Sequence, residues 1–574
     1  MLKQYFPILQ WRKNYNKNTF NSDMIAAIIV TIMLIPQSLA YALLAGLPAQ
    51  VGLYASILPL IAYSIFGSSS TLSVGPVAVI SLMTAAAISS LGLESIADNV
   101  LAASVLALFS GIILLLMGLL KLGLLANLLS HPVISGFITA AGIIIAASQL
   151  QHLLGISTTG HNLYEILSSV LAQLETINVI TLAMGLLALG LLWWVRRFLC
   201  QYLLKLGLNQ SLAKNLAKAG PVLVIIITLL ISYLLNLESL DVAVVGFIPT
   251  GLPALSMPEF DPDIIQPLIS SAVLISIVGF VESVSVAQTL AAKRRERISP
   301  DQELIGLGVS NVASAFSGSF PVTGGFSRSV VNFDAGAKSP AAGAFAALGI
   351  ALAALFLTPL IYFLPKASLA ATIIIAVLSI IDFAVIKRTW QYSKPDFSAM
   401  LATIIMTLIT GIELGIISGV SLSILLYLYR TSKPHCAEVG LLEGSEHFRN
   451  TERHSVSTCP SILTLRIDES LYFANARYLE DKVYDLVARS PNIKHFILMC
   501  PAVNFIDASA LESLEAINER LIDSHVTFHL SEVKGPVMDR LECSHFIEQL
   551  SGEIYMSQFD AWQALSTITA KSDR

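Results

Sequence analysis

Long apolar runs separated by short polar breaks fill the chain from about position 23 to about 430. A helix needs about 20 apolar residues to cross a bilayer core. The runs predict spans near 23–45, 50–67, 73–90, 99–120, 131–151, 177–195, 220–236, 267–290, 303–318, 327–337, 340–358, 367–385, 396–411 and 413–430, fourteen in all. Beyond Ser432 the pattern changes to short β-rich runs alternating with amphipathic stretches. Residues 1–22 therefore read as an N-terminal segment, 23–431 as a polytopic α-helical membrane domain, and 432–574 as a soluble α/β domain with its linker and tail.

Composition agrees: 55% of the 574 residues are hydrophobic and 13% charged, against about 25% charged in soluble chains. The net charge of −5 gives no reason to expect nucleic acid. The 5 cysteines show neither paired nor metal-ligand spacing, so no disulfide framework, metal or cofactor is expected. The N-terminus lacks the apolar core and cleavage site of a signal peptide.

Basic residues orient the spans, because cytoplasmic loops collect Lys and Arg. Lys3, Arg12, Lys13 and Lys17 precede the first span. Arg196, Arg197, Lys205, Lys214 and Lys218 follow the sixth, and Lys293, Arg294, Arg295 and Arg297 the eighth. Lys387, Arg388 and Lys394 follow the twelfth, and Arg430 and Lys433 the fourteenth. The loops at 154–176 and 236–266 contain neither residue and alternate onto the other side. Both termini are expected in the cytoplasm, with the chain in the inner (plasma) membrane.

Two spans are interrupted. The third opens "SSSTLSVGPVAVISLM" and the tenth "SFPVTGGFSRSVVNFDAGAKSP". Each is third in a set of seven, and seven is odd, so the second set enters from the opposite side: an inverted repeat with discontinuous helices in matching positions. Each segment should begin extended and turn helical near the midplane, with Pro76 at the first helical position and Gly75, Gly324 and Gly325 allowing close backbone approach. Two opposed helix N-termini carry unpaired N–H groups and partial positive charge, which suits an anion. Ser73, Gly75, Val77, Gly325, Phe326, Ser327 and Arg328 lie in these stretches and form the candidate substrate-binding set.

An arginine inside a bilayer is costly unless compensated. Arg328, in the first turn of the tenth helix, is met either by a bound anion or by an ion pair with Asp334 or Glu282. Glu282 lies about eleven residues before Lys293, roughly 16 Å along a helix, and so near the midplane. It is a candidate coupling residue; the alternative is a carboxylate that only balances Arg328. In the first span Pro36 should kink the helix. Gln37 and Tyr41, four apart, share a face that either lines a cavity or bonds to a neighbouring helix.

These residues together resemble the sulfate permease (SulP) family, bacterial relatives of solute carrier family twenty-six. "IPQSLAYALLAGLPAQVGLYASILPLIAYSIFGSSSTLSVGPVAV" is similar to the family signature over the first three spans, and "GGFSRSVVNFDAGAKSP" to its tenth-span motif. The resemblance implies seven-plus-seven core and gate subdomains, a homodimer and elevator-like motion. It also implies an anion site between spans three and ten, closed by spans one and eight. Gln37, Tyr41, Val77, Ser327 and Arg328 match its substrate positions. Glu282 matches the carboxylate of its sulfate/proton symporters, whereas some bicarbonate members bind sodium there. Tyr41 stands where some relatives have Phe.

The tail, with "ILTLRI", "HFILMC" and "ALESLEAINERL", alternates strand and helix. It resembles the STAS domain shared with anti-sigma factor antagonists, which implies a protein partner. Ser509 in "IDASALESL" matches their phosphorylated serine, the alternative being a helix N-cap. The function expected is secondary active uptake of an inorganic anion, sulfate with protons. Bicarbonate with sodium, or a C4-dicarboxylate, is the alternative within transport; an anion channel or a membrane sensor stands outside it. No nucleophile–base set or nucleotide loop suggests an enzyme.

Overall fold

The computed structural model describes residues 5–572 apart from 94, 128–129, 159, 161, 208, 211–212, 214–216, 218–219, 248, 259–261 and 379–380. Lys3, Lys214 and Lys218 lie outside the described residues. The chain divides into two compact units, Met1–Ser423 and Ile424–Arg574.

Helix occupies every expected span of the membrane domain. The series runs Lys17–Leu44, Ala49–Tyr54 with Leu58–Phe66, Ala78–Ser89, Ile96–Leu119, His131–Ser148, Val179–Trp194, Gly220–Leu234, Pro262–Arg294, Pro300–Phe316, Phe326–Asp334, Ala341–Phe356, Lys366–Leu378, Lys394–Thr410 and Ile412–Ser432. Among the described residues 8 helical stretches are long and apolar enough to cross a membrane unaided. Those that start at Ala78 and Phe326 are not among them, because each follows a two-residue strand, β1 (Val74–Gly75) and β2 (Thr323–Gly324).

Several boundaries differ from expectation. The first helix starts earlier than expected, at Lys17, and carries Pro36 in its interior. Pro76 is not the first helical residue: Val77 is the N-cap and the helix starts at Ala78, so Pro76 ends the extended stretch. The loop at 154–176 holds a helix, Leu163–Ala172, whose Asn162 cap accepts from the Glu165 N–H at 2.9 Å. The run at 367–385 is two helices, the second, Phe383–Tyr392, started by the Asp382 carboxylate accepting from the Ala384 N–H.

Between membrane helices there is little hydrophobic drive, so close packing of small residues and buried hydrogen bonds does the work. A Cβ at Gly111 would sit 2.8 Å from the Gly308 carbonyl oxygen, and one at Gly308 2.9 Å from that of Gly111. The helices Ile96–Leu119 and Pro300–Phe316 therefore meet backbone to backbone. Glu303, fully buried, accepts from the Tyr63 hydroxyl at 2.6 Å, the Ser68 N–H and hydroxyl at 2.9 and 2.6 Å, and the Ser69 N–H at 3.0 Å. It fixes the loop that leads into β1. Asp23, also fully buried, accepts from Lys338 N–H, Ser339 N–H and the Ser339 hydroxyl. It ties the first helix to the turn that follows the tenth. Both carboxylates escaped the sequence reading, because they stand at span ends where acidic residues are ordinary.

The second unit carries β3 (Cys436–Leu441), β4 (Phe448–Asn450), β5 (Ile462–Ile467), β6 (His495–Met499), β7 (Thr527–Ser531) and β8 (Ile554–Tyr555). They form one sheet in the order β4-β3-β5-β6-β7-β8. β5 through β8 run parallel, with Phe473–Arg489 between β5 and β6 and Ala508–Asp523 between β6 and β7. Leu465, Phe496, Leu498 and Phe528 bury one core with Leu479, Val483, Leu514 and Ile517 of those helices. His529, 4% exposed, accepts from the Glu553 N–H at Nδ1 (3.0 Å) while its Nε2 lies 3.2 Å from His495 Nδ1. Burial and then the neighbouring imidazole push its pKa down to about 4.

A depressed histidine pKa means that the unfolded state binds the proton first. Stability is then full above about pH 6.5 and falls as pH drops toward 4. We expect the unfolding free energy of this domain, followed in a full-length variant that keeps Trp562 and replaces the other tryptophans by Phe, to fall by about 1 kcal/mol between pH 7.5 and 5.5. His529→Gln should flatten that slope; an unchanged slope would remove His529 as its source.

Candidate functional site

β1 and β2 pair antiparallel inside the membrane unit, Val74 opposite Gly324 and Gly75 opposite Thr323, and the Gly325 N–H extends the ladder to the Ser73 carbonyl at 3.1 Å. Non-helical backbone at membrane depth survives only where its polar groups are satisfied. Here the two broken segments satisfy one another. Antiparallel pairing makes the chains leave the ladder at opposite ends, one into the helix at Ala78 and the other into the helix at Phe326.

Neighbouring side chains lock this crossing. The Gly324 N–H donates to Ser283 Oγ (2.8 Å), Ser283 Oγ lies 2.6 Å from Thr323 Oγ1, and Thr323 Oγ1 donates to the Gly279 carbonyl at 2.6 Å. Asn311 accepts from the Val322 N–H and donates to its carbonyl, both at 2.9 Å. Ser329 Oγ accepts from the Ser73 N–H at 3.0 Å, and Asn332 Nδ2 donates to the Thr71 carbonyl at 3.0 Å. Sequence reasoning missed Ser283, Asn311, Ser329 and Asn332. The one available signal for Ser283 was its place beside Glu282.

Beside the ladder is a small cavity of about 40 Å³, far below the ~300–1,000 Å³ that holds a drug-sized molecule. Gln37 and Tyr41 of the first helix, Val77 of the third segment, Glu282 of the eighth, and Gly325, Phe326, Ser327 and Arg328 of the tenth all line it. Pro76, Ile138, Gly142, Ile145 and Val377 also face it. The last four are apolar or small and carry no chemical signal in the sequence. Ser73 and Gly75 do not line the cavity. Ser73 is held in the ladder, and a Cβ on Gly75 would lie 3.5 Å from the Arg328 guanidinium.

Arg328 is 2% exposed. Its Nη1 donates to the Pro76 carbonyl, which the extended proline delivers from the opposite segment. Nε and Nη2 are buried without a hydrogen-bond partner among the described residues. The ion pair with Asp334 or Glu282 that the sequence left open is not made. Gln37 Oε1 is likewise buried and unpartnered; the two ends of its amide are interchangeable by a flip, so it can present N–H₂ instead. Glu282 and Arg328 face the same space without touching. In the second unit Ser509 is exposed, and it is not the cap of Ala508–Asp523. Asp507 is, accepting from the Ala510 N–H at 2.8 Å.

A discontinuous-helix crossing in a many-helix membrane unit, joined to a mixed-sheet α/β domain, defines a polytopic transport protein with an α/β appendage. Residues 20–403 match the Sulfate permease family and residues 454–561 the STAS domain. The chain belongs to the sulfate permease family, whose members transport anions across membranes. It is 34% identical over 561 residues to Sulfate transporter 4.1, chloroplastic, of Arabidopsis thaliana, covering 96% of this chain and 80% of that one. It is 28% identical to Probable sulfate transporter MT1781 of Mycobacterium tuberculosis, covering 97% of both. The structure of SLC26A9 superposes with a TM-score of 0.91 at 23% identity, covering 99% of this chain and 94% of that one. The transmembrane domain of the cyanobacterial bicarbonate transporter BicA superposes with a TM-score of 0.61 at 22% identity, covering 71% of this chain and 98% of that one. These superpositions bear on the fold alone.

A Cβ at Gly325 would meet Arg328 Nη2 at 2.9 Å and Cζ at 3.1 Å. That contact is with the end of a flexible side chain, so Gly325→Ala should fold normally yet displace the guanidinium. We expect a several-fold loss of anion affinity in calorimetry, with the thermal unfolding midpoint nearly unchanged. Wild-type affinity would show that the guanidinium position does not matter.

Proposed function

We propose that this protein takes up sulfate by proton symport, holding the anion between the N-termini of the half-helices that start at Ala78 and Phe326. The observation that carries the reading is Arg328: a buried guanidinium with two unpartnered nitrogens, lining a cavity of small-ion size. Guanidinium N–H groups match the oxygens of a tetrahedral oxyanion. The helix termini add partial positive charge and free N–H groups. Val77, Gly325, Phe326 and Ser327 supply the termini, and Gln37 and Tyr41 close the site from the first helix. Ser73 and Gly75 act by holding the ladder. The relatives named as sulfate transporters favour sulfate over bicarbonate or dicarboxylate.

In this reading residues 23–431 are the transport domain of an inner-membrane homodimer with both termini in the cytoplasm. The STAS domain recruits a cytoplasmic protein, with Ser509, exposed on the first turn of its helix, as the regulatory residue. Arg328→Ala should abolish sulfate binding and transport while the protein inserts and elutes normally. Binding is measured on purified protein, and wild-type affinity would remove Arg328 from the site.

Sulfate is a dianion, and an inside-negative potential opposes its entry by about 2.3 kcal/mol per charge per 100 mV. Uptake therefore needs co-transported cations. Glu282 shares the cavity with Arg328 and is the group we assign to proton coupling: protonated outside, it crosses with the anion and releases its proton inside. Glu282→Gln, which imitates the protonated form, should lose pH-driven accumulation in proteoliposomes and keep counterflow of labelled for unlabelled sulfate. Accumulation that survives in the variant would exclude Glu282 as the coupling residue. A wild type driven by sodium and not by protons would favour the bicarbonate-type mechanism.

A further inference from the structure

A second, larger cavity lies within the membrane unit, away from the strand crossing, and measures about 450 Å³. It gathers the N-terminal segment around Trp11, the end of the fourth helix at Lys121, the loop before the ninth helix at Arg297, that helix's first turn at Asp301, and the turn after the tenth at Lys338. None of these residues lines the cavity described above.

Its charge is lopsided. Lys121, Arg297 and Lys338 line it against one carboxylate, Asp301. Asp301 is already engaged, its Oδ1 accepting from the Gly123 N–H at 2.8 Å. A second carboxylate, Glu296, accepts from the hydroxyl of the lining residue Ser70 at 3.0 Å. The polar neutral groups are also committed: Ser68 donates to Glu303, and Gln302 Nε2 donates to the Tyr5 and Phe66 carbonyls. The three cationic side chains make no hydrogen bond or ion pair among the described residues. The Trp11 indole N–H, a donor only, is buried and unpartnered as well. Three cationic side chains and Trp11 therefore border one space with a net positive charge.

The supporting frame is tied by hydrogen bonds. Lys338 and Ser339 are fixed through their N–H groups to the buried Asp23. Gln302 clamps the N-terminal segment to the end of the second span, where Phe6 and Phe66 also meet ring to ring at 5.0 Å. The cavity is about ten times the volume of the central one. The space is therefore large enough for a molecule bulkier than a single tetrahedral oxyanion, and Trp11, Pro7 and Pro340 give it apolar surface.

We propose that this cavity binds a phosphate-bearing organic anion, its phosphate held by Lys121, Arg297 and Lys338, and that the ligand ties the N-terminal segment to the helices around the strand crossing. The shared chemistry is a phosphate ester, either on a lipid headgroup or on a soluble metabolite. This ligand is separate from the transported anion, whichever anion that is.

The test uses full-length protein in neutral detergent carrying Arg328→Ala, which silences the central site. Two probes separate the sources: glycerol 3-phosphate for a soluble ester, and short-chain phosphatidic acid, with phosphatidylcholine of equal chain length as the control. Saturable binding of either phosphate probe, read by calorimetry and by a rise in the unfolding midpoint, is expected. It should weaken at least ten-fold in Lys121→Gln/Arg297→Gln/Lys338→Gln, and weaken with added salt. Trp11→Phe, which removes the indole N–H together with part of the ring's apolar surface, should weaken it less. Binding of glycerol 3-phosphate identifies a soluble ligand, and binding of phosphatidic acid alone a lipid. No binding of either, or equal binding by the triple variant, would overturn the proposal. Because the three side chains are exposed, the triple variant is expected to fold; its near-ultraviolet circular dichroism checks this.

Discussion

A chain that abandons the helix inside a bilayer must find partners for its freed N–H and C=O groups, each costing several kcal/mol if left bare in hydrocarbon. Here the two abandoned segments find each other. The pairing of Val74 with Gly324 and Gly75 with Thr323 is only two residues long, too short to hold by itself. What holds it is the surrounding shell. Ser283 and Thr323 pass one hydrogen bond to the next from the Gly324 N–H to the Gly279 carbonyl, a chain in which each bond polarises its neighbour. Asn311 and Ser329 close the outer edges. Further out, Glu303 and Asp23 pin the loops on which the crossing depends.

This arrangement separates two kinds of polar group. Those that hold the crossing spend hydrogen bonds within the protein, although Asn332 Oδ1 and Ser73 Oγ stay unpartnered among the described residues. Those that face the cavity keep unspent capacity: two nitrogens of Arg328 and one amide atom of Gln37. The division follows the chain closely. Glu282 faces the cavity while the next residue, Ser283, holds β2; Arg328 faces it while Ser329 holds β1. Adjacent residues on a helix point about 100° apart, so one turn can serve both as wall and as clamp. Ser283 thus joins the eighth helix to the strand that leads through Gly325 into the helix of Arg328.

The same division explains what could be read from the sequence. Polar residues in an apolar run are conspicuous, so Gln37, Tyr41, Glu282 and Arg328 stood out, and the glycines and prolines of the broken spans marked the strands. Serine, threonine and asparagine are too common in membrane helices to be conspicuous, which hid Ser283, Asn311 and Ser329. The far wall, Ile138, Gly142, Ile145 and Val377, is composed like the lipid-facing residues around it. Only the fold brings it to the site. Pro76 belongs to the crossing as expected, but in a different role. It does not start the helix; it turns its carbonyl to Arg328.

That carbonyl sets how the site holds its guanidinium. A fully unpaired buried guanidinium would be prohibitively costly, and one salt-bridged to Glu282 would be neutralised and unavailable. A single carbonyl partner lies between these extremes. It orients the group through Nη1 and leaves Nε and Nη2 directed elsewhere, so the charge is positioned without being cancelled. The partner comes from the third segment and the arginine from the tenth, so the orientation exists only while the two segments remain crossed. The ladder thus sets where the positive charge stands as well as where the backbone runs, and loosening either strand would weaken both.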